Sequence, residues 1–148
     1  IPLGKVEFIS KGNDITVISY GSTLKLIEKT IPELKKHNIE IELIDLQTLI
    51  PFDINNDILI SVKKTNKLLI VDEDYPGGAS SFILKKIIED QDAFKYLDSK
   101  PITLTAKEHR PPYGSDGDYF SKPSIDDIFE ECYKIMNEYD PKRFPKKY

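Results

Sequence analysis

The sequence predicts an α/β fold of three layers (α/β/α), with a mostly parallel sheet of about five strands and one antiparallel edge strand. Short apolar runs of strand type alternate with stretches of helical periodicity along the chain. Strands separated by helices of about 10–15 residues pair in parallel, with each helix crossing over the sheet. We therefore expect one domain with helices on both faces of the sheet.

The first two apolar runs predict an antiparallel hairpin at one edge of the sheet. They read KVEFIS and DITVISY, and the cluster KGND between them favours a turn. Two strand-like runs joined by so short a turn usually pair with each other. We expect this hairpin to supply the antiparallel strand.

A helical pattern follows Gly21 and ends near His37 and Asn38. Pro32 lies inside this pattern, and we expect it to kink or split the helix because proline has no backbone N–H to donate. The run IEIELID then predicts the next strand. The apolar residues that mark the helix are Leu24, Ile27, Ile31 and Leu34.

The segment DLQTLIPFD, residues 45–53, predicts a connection from this strand to a second helix. Pro51 disfavours helical geometry in the residue before it, and Asp53 is a suitable N-cap for the helix that follows. Ile54, Ile58, Leu59 and Val62 mark that helix.

The second half of the chain continues the alternation. KLLIVDE predicts a central strand, GASSFILKKIIED a helix, PITLTAK a last strand and HRPPYGSDGDYFSKP a long irregular loop. Pro123 and Ser124 open the final helix, and DPKRFPKKY predicts a polar extension over residues 140–148. One apolar stripe marks that helix: Ile125, Ile128, Phe129, Cys132, Ile135, Met136 and Tyr139.

The composition is that of a globular protein. The 148 residues are 39% hydrophobic and 31% charged, and the net charge of −4 disfavours a nucleic-acid partner. No apolar run approaches the ~18 residues that span a bilayer, and Cys132, the single cysteine, excludes an intrachain disulfide. Because the chain starts at Ile1 and its only methionine is Met136, we expect it to be part of a longer protein.

Candidate ligand positions lie where the predicted strands end, since ligands of such sheets bind beyond the carboxyl ends. YGST could hold an anion at a helix N-terminus, but a tight turn with an N-cap is the favoured interpretation. PGGAS could do the same, although three carboxylates precede it. The four positions are Tyr20-Gly21-Ser22, Asp45, Asp72-Glu73-Asp74 and Lys107-Glu108-His109.

The pattern of chemically active residues favours no catalytic, cofactor-binding or metal-binding residue in this chain. Asp116 and Asp118 are only a fragment of a calcium loop, and turn formation is the favoured role for that segment. Cys132 lies on an apolar stripe, where a thiol is usually inert. Neither His37 nor His109 has a Ser or Cys beside it in a recognisable motif.

Taken in order, IPLGKVEF, DITVISYGS, IDLQTLIPFD, KLLIVDE and KPSIDDI resemble the C-terminal domain of transketolase-like, thiamine diphosphate-dependent enzymes. The nearest resemblance is to the beta subunit, or beta half, of the decarboxylating component of 2-oxo acid dehydrogenase complexes. It covers residues 1–139, which we take as the domain, and its motif positions have structural roles. Those positions are Gly4, Gly21, Asp45, Thr48, Pro51 and Asp53.

Three segments depart from the family pattern. Gln47 stands where the family usually has arginine, which removes a cation that could pair with nearby acids. YPGGASSF and GSDGDYF also differ from the commoner sequences.

The resemblance implies an assembly role for this chain. Thiamine diphosphate and Mg²⁺ would be held by a Gly-Asp-Gly motif in another domain of the full enzyme, and this chain has no such motif. The domain would contact its own catalytic domains and a second copy, in a dimer or tetramer, and could help dock the lipoyl acyltransferase core. The full enzyme would be cytoplasmic in bacteria and in the mitochondrial matrix of eukaryotes.

Two alternatives remain open at the sequence level. One is the corresponding domain of a transketolase or a 1-deoxyxylulose-5-phosphate synthase. The other is an independent small-molecule-binding α/β domain that uses the strand ends near Gly21 and Gly77.

Overall fold

A computed structural model describes residues 3–73, 78–109 and 119–147. Its main sheet has five strands in the order β1-β3-β2-β4-β5, of which only β1 is antiparallel to its neighbour. This confirms the predicted mostly parallel sheet with an antiparallel edge strand. The strands are β1 (Glu7–Ser10), β2 (Ile15–Ser19), β3 (Ile41–Asp45), β4 (Leu68–Val71) and β5 (Ile102–Leu104).

The three central strands form the interior of the molecule. Every residue of β2 and of β4 is buried, and so are the first four residues of β3. Strands rich in branched apolar residues are stable in such a position, where helices cover both faces of the sheet.

The partner of β1 differs from the sequence prediction. β1 pairs with β3, in the register Glu7 to Asp45 and Phe8 to Ile44, so KVEFIS and DITVISY do not form a hairpin. The segment between them instead crosses the start of β3, where the Asp14 carboxylate accepts from Glu40 N at 2.7 Å. β3 therefore lies between β1 and β2 in the sheet. The short turn between KVEFIS and DITVISY gave no indication of this order.

Gly12 permits this crossing because it lies directly against the backbone of β3. A Cβ atom at this position would be 2.4 Å from the carbonyl oxygen of Ile41. That distance is far below van der Waals contact, so only glycine fits.

Two helices cover one face of the sheet: α1 (Thr23–Lys36) and α4 (Ile125–Tyr139). α1 is one continuous helix through Pro32, so the predicted split does not occur. Its buried residues lie on both sides of the proline, and packing on the sheet offsets the missing hydrogen bond. The buried cluster on this face includes Val17, Ile27, Leu34, Leu43, Ile128, Cys132, Met136 and Phe144.

The opposite face carries α2 (Asp57–Thr65) and α3 (Ala79–Lys85), and α3 continues into a π-helical turn, Lys86–Asp90. Ile54 lies before α2 and is 53% exposed, so its predicted place in that helix was wrong. The buried cluster here includes Ile18, Ile44, Ile58, Val62, Ile70, Ile83 and Ile87. Helices on both faces confirm the three-layer architecture.

A two-stranded antiparallel sheet forms beyond β5, from β6 (Lys107–His109) and β7 (Tyr119–Ser121). Residues 119–121 belong to the segment predicted to be irregular, and pairing with β6 accounts for the difference. Residues 110–118, which include Asp116 and Asp118, lie outside the described residues.

The segment after α4 packs against the domain. Phe144 is buried, and its carbonyl oxygen accepts from Asn137 Nδ2 at 2.7 Å. Tyr133 Oη donates to the carbonyl oxygen of Pro145. An aromatic side chain in the core thus holds the otherwise polar residues 140–147 in place.

Candidate functional site at the carboxyl ends of the strands

A cleft with two lobes opens where β2 and β3 end. One lobe, of about 570 Å³, is lined by Tyr20, Gly21, Asp45, Gln47 and Thr48. The other, of about 290 Å³, shares three of these residues and adds Leu46, Leu49 and Ile50. We call these eight residues the carboxyl-edge cleft. It lies where ligands of parallel sheets usually bind, and it contains three predicted motif positions: Gly21, Asp45 and Thr48.

Hydrogen bonds between side chains join the ends of β2 and β4 beside the cleft. Tyr20 Oη donates to Asp72 Oδ1 at 2.9 Å, and Asp72 is buried. Ser22 Oγ donates to Glu73 Oε2 at 3.0 Å and makes no side-chain hydrogen bond to its own helix. YGST therefore forms a turn, as predicted, but Ser22 does not cap α1, because its own backbone is already helical (φ −67°, ψ −24°) and not extended as an N-cap requires.

Two carboxylates meet on the neighbouring strands at the other side of the cleft. Glu7 and Asp45 are directly opposite in the β1–β3 pair. Gln47 bridges them, since its backbone N–H donates to Asp45 Oδ1 at 3.1 Å and its Nε2 donates to Glu7 Oε2 at 2.9 Å. These contacts orient the Gln47 amide, and its buried Oε1 has no hydrogen-bond partner in the described part of the chain.

A second cluster forms around Asp53, a motif position that is buried. The predicted N-cap, Asp53, does not hold that position, which belongs to Asn56. The Asp53 carboxylate nevertheless accepts from Asp57 N at 3.0 Å and from Ile58 N at 2.9 Å, from four residues before the helix starts. Gln91 Nε2 also donates to Asp53, at 2.9 Å, which ties the turn after the π-helical segment to the start of α2.

Gly4 and Pro51 lie against each other next to this cluster. Ile54 N donates to the carbonyl oxygen of Gly4 at 2.9 Å. A Cβ atom on Gly4 would be 2.9 Å from Pro51 Cγ and 2.8 Å from Ile54 Cγ2, and the positive φ of Gly4 also favours glycine. Gly4, Pro51 and Asp53 thus fix the path of the loop that leads to α2.

The structure also assigns roles that the sequence did not indicate. Glu7 accepts from Gln47 and Gln91 donates to Asp53, each from a distant part of the chain, and neither Glu7 nor Gln91 stands in a recognisable pattern. For the contact with Glu7, the sequence signal was Gln47 itself, as a departure from the family's arginine. The contacts of these residues depend on strand order and on the π-helical turn, which local patterns do not show.

The cysteine and the histidine considered as candidates, Cys132 and His37, both make contacts within the fold. Burial raises the pKa of the Cys132 thiol to about 12, so this buried side chain is protonated at neutral pH. His37 ends α1, and its Nδ1 contacts the carbonyl oxygen of Glu33 at 3.0 Å. Within residues 3–73, 78–109 and 119–147, no cluster of three His, Cys, Asp or Glu residues could hold a metal ion. Asp74, Tyr75 and Gly77 lie outside these ranges.

A comparison with known families matches residues 4–122 to "Transketolase, C-terminal domain". The chain belongs to the transketolase C-terminal domain family.

Curated relatives of this transketolase C-terminal domain include "Pyruvate dehydrogenase E1 component subunit beta" of Rhizobium meliloti and of Acholeplasma laidlawii. The first is 32% identical over 139 residues, which are 90% of this chain and 30% of the relative. The second is 31% identical over 135 residues, which are 91% of this chain and 40% of the relative. This chain therefore spans well under half the length of these relatives. A mitochondrial beta-2 subunit of Oryza sativa is 28% identical, over 92% of this chain and 37% of that subunit.

Solved structures show the same fold. An inactive beta4 tetramer of a split-gene transketolase superposes on this domain with a TM-score of 0.65 and 16% identity, over 90% of this chain and 43% of that one. A 2-oxoglutarate:ferredoxin oxidoreductase from Magnetococcus marinus gives a TM-score of 0.55 and 17% identity, over 88% of this chain and 19% of that one.

None of the helices in the described part of the chain combines the length and the apolar character that crossing a membrane requires.

Proposed function

We propose that this chain is the non-catalytic C-terminal assembly domain of a thiamine diphosphate-dependent 2-oxo acid dehydrogenase. In the full enzyme, other domains decarboxylate a 2-oxo acid oxidatively and transfer the acyl group to lipoate. This domain holds those catalytic domains and a second copy together in a dimer or tetramer.

The observation that carries the proposal is the arrangement of the motif positions. Gly4, Pro51 and Asp53 hold a loop in place, and each polar contact of Asp53 goes to the protein's own backbone or to Gln91. Asp45 likewise accepts from a backbone N–H. Side chains engaged in this way stabilise a surface and are poorly placed to react. The similarity to pyruvate dehydrogenase beta subunits supports the enzyme class.

The cofactors and further partners belong to the same proposal. Thiamine diphosphate and Mg²⁺ bind in the catalytic domains of the full enzyme, and no residue of this chain holds them. The lipoyl acyltransferase core is the wider partner. We place the enzyme in the cytoplasm of a bacterium or in the mitochondrial matrix of a eukaryote, and the mitochondrial name of one relative supports the second of these.

Substrate-dependent reduction of ferricyanide tests the proposal. The full protein that carries this chain, supplied with any separate catalytic subunit, thiamine diphosphate and Mg²⁺, is expected to reduce ferricyanide with a 2-oxo acid such as pyruvate. Transfer of a two-carbon ketol unit between sugar phosphates, with no turnover of any 2-oxo acid, would contradict it.

The isolated chain is the matched control in the same assay. We expect it to give no turnover and to bind neither nucleotide nor flavin in a calorimetric titration. Tight binding of either ligand by the isolated chain would identify an independent binding domain and reject the assembly role.

A further inference from the structure

The ammonium group of Lys147 lies in a site formed by the end of α1 and by α4. Its Nζ is 5.3 Å from the centre of the Phe129 ring and 5.2 Å from the centre of the Tyr133 ring. It also contacts His37 Nε2, at 2.5 Å. The faces of aromatic rings attract an ammonium group electrostatically, so the two rings and the imidazole hold this side chain against α4.

The hydrogen bonds of the site fit one protonation state of His37. Its Nδ1 lies 3.0 Å from the carbonyl oxygen of Glu33, which can only accept, so Nδ1 carries a proton. Its Nε2 faces the Lys147 ammonium, which can only donate, so Nε2 carries none. The rings of Phe129 and Tyr133 meet the imidazole edge to face, with centres 5.1 Å and 5.9 Å away, and fix its orientation. The neutral imidazole alone satisfies both contacts.

The charged groups around His37 come from α1, α4 and the segment after α4. On α1, the Glu33 carboxylate pairs with Lys36 Nζ at 3.6 Å. Among the residues that the structure describes, no carboxylate forms an ion pair with His37, so Lys147 is the charged group in direct contact with the ring. The charged side chains that line the adjoining groove are Glu130, Glu131, Lys134, Glu138, Lys146 and Lys147.

We propose that Lys146 and Lys147 form a terminal strap that closes on α1 and α4 while His37 is neutral and opens when His37 binds a proton. A proton from solvent occupies Nε2, so the hydrogen bond from Lys147 breaks and two positive charges face each other. Histidine is the side chain that changes charge between about pH 5 and 8. The closed strap is therefore complete at the upper end of this range and is lost as the pH falls through it.

Phe144 limits how far the terminal strap opens. Its side chain is buried in the core, and its carbonyl oxygen accepts from Asn137 Nδ2 at 2.7 Å. The next residue is also held, since Tyr133 Oη donates to the carbonyl oxygen of Pro145. None of these contacts involves a group that titrates near neutral pH. Protonation of His37 thus releases the Lys147 side chain and leaves the chain anchored up to Pro145.

Competitive labelling of lysines tests the terminal strap on the full protein that carries this chain. Brief reductive methylation with formaldehyde and cyanoborohydride is followed by chymotryptic cleavage after Tyr139, which leaves Lys142 and Lys147 in one peptide. Lys142 is exposed and serves as the reference, so the ratio of label at the two lysines cancels the effect of pH on the reagent. We expect Lys147 to react about threefold more slowly than Lys142 at about pH 7.5, and at the same rate at about pH 5.5.

Two variants assign the response to His37. His37→Gln supplies an amide oxygen that accepts from Lys147 across the whole range, so the labelling ratio should stay low at both pH values. His109→Gln replaces the other histidine of the chain, which lies on β6, and should keep the response of the unmodified protein.

The outcomes are decisive for the terminal strap. A labelling ratio that does not change with pH in the unmodified protein rejects it, and so does an unchanged pH response in His37→Gln. If His37→Gln does not fold, as circular dichroism would show, the pH course of the unmodified protein and of His109→Gln still decides. The inference is separate from the proposed function, because the same labelling result is expected whether the enzyme turns over a 2-oxo acid or transfers ketol units.

Discussion

Asp53 shows how one buried side chain can hold three segments together. Its carboxylate accepts two backbone N–H groups at the start of α2 and the amide of Gln91. The sequence predicted that Asp53 would serve the start of α2, because an aspartate followed Pro51 ahead of a helical pattern, but the N-cap position itself is Asn56. The third contact was not predictable, since Gln91 lies 38 residues further along and reaches Asp53 only after the π-helical turn.

Replacing Asp53 with alanine should lower the free energy of unfolding by about 1.5–3 kcal/mol, as measured by urea denaturation. Loss of the cap contributes about 0.5–2 kcal/mol, and the unpaired Gln91 amide contributes about 1 kcal/mol more. Asp126→Ala is the control, since Asp126 lies in the first turn of α4 and the capping is done by Ser124 and Asp127. Equal losses in the two variants would contradict the role given to Asp53.

Glu42 makes stability depend on pH. Burial acts to raise the pKa of this carboxyl, but hydrogen bonds from Lys64, Ser61 and Gly12 N, with the charge of Lys64, outweigh it and lower the pKa below 4.5. A lowered folded-state pKa means that the contribution of Glu42 to stability is complete above pH 4.5 and is lost as the pH falls through the folded-state value.

Glu42→Gln should therefore lower stability at neutral pH and reduce the further loss of stability on acidification below about pH 4.5. Urea denaturation at neutral pH and at several acidic values measures both effects. Glu33→Gln removes the exposed partner of Lys36 and should keep the steep acid dependence of the unmodified protein. The same acid dependence in Glu42→Gln and the unmodified protein would show that Glu42 does not cause it.

At the scale of elements, the sequence predicted the types of most segments better than their partners. Apolar alternation located the strands, and the stripe on α4 located the final helix, because burial imposes these patterns directly. The pairing of β1 was predicted wrongly, since a turn of KGND type is compatible with a hairpin and with a crossing over β3. The deciding contact is the close approach of Gly12 to Ile41, which no local pattern shows.

Two glycine substitutions test that crossing. Gly12→Ala would place a Cβ atom 2.4 Å from the carbonyl oxygen of Ile41, and we expect a loss of about 2–3 kcal/mol as the backbone shifts. Gly21→Ala meets no atom within 4 Å, so its cost is only that of a positive φ, about 1 kcal/mol. Chemical denaturation of both variants shows which one loses more free energy of unfolding. A smaller loss for Gly12→Ala than for Gly21→Ala would refute the crossing.

At the scale of the whole molecule, the motif that identifies the family is spread over two places. Asp45 and Thr48 line the carboxyl-edge cleft, while Gly4, Pro51 and Asp53 secure the loop beside it. The sequence could group these positions only through a resemblance, because their contacts join the segment before β1 to the loop before α2. Ile50 at the cleft and Leu3 beside Gly4 are both exposed, and this part of the surface is where we expect the domain to act.

Turnover per subunit as a function of protein concentration tests the assembly role most directly. We expect Leu3→Ser in the full protein to raise the concentration that gives half-maximal turnover and to leave the plateau unchanged, because it weakens association only. Ile60→Ser is the control, since Ile60 is 60% exposed on α2 and does not line the cleft. A lowered plateau with an unchanged midpoint would contradict the account, because it would place this surface in the chemistry.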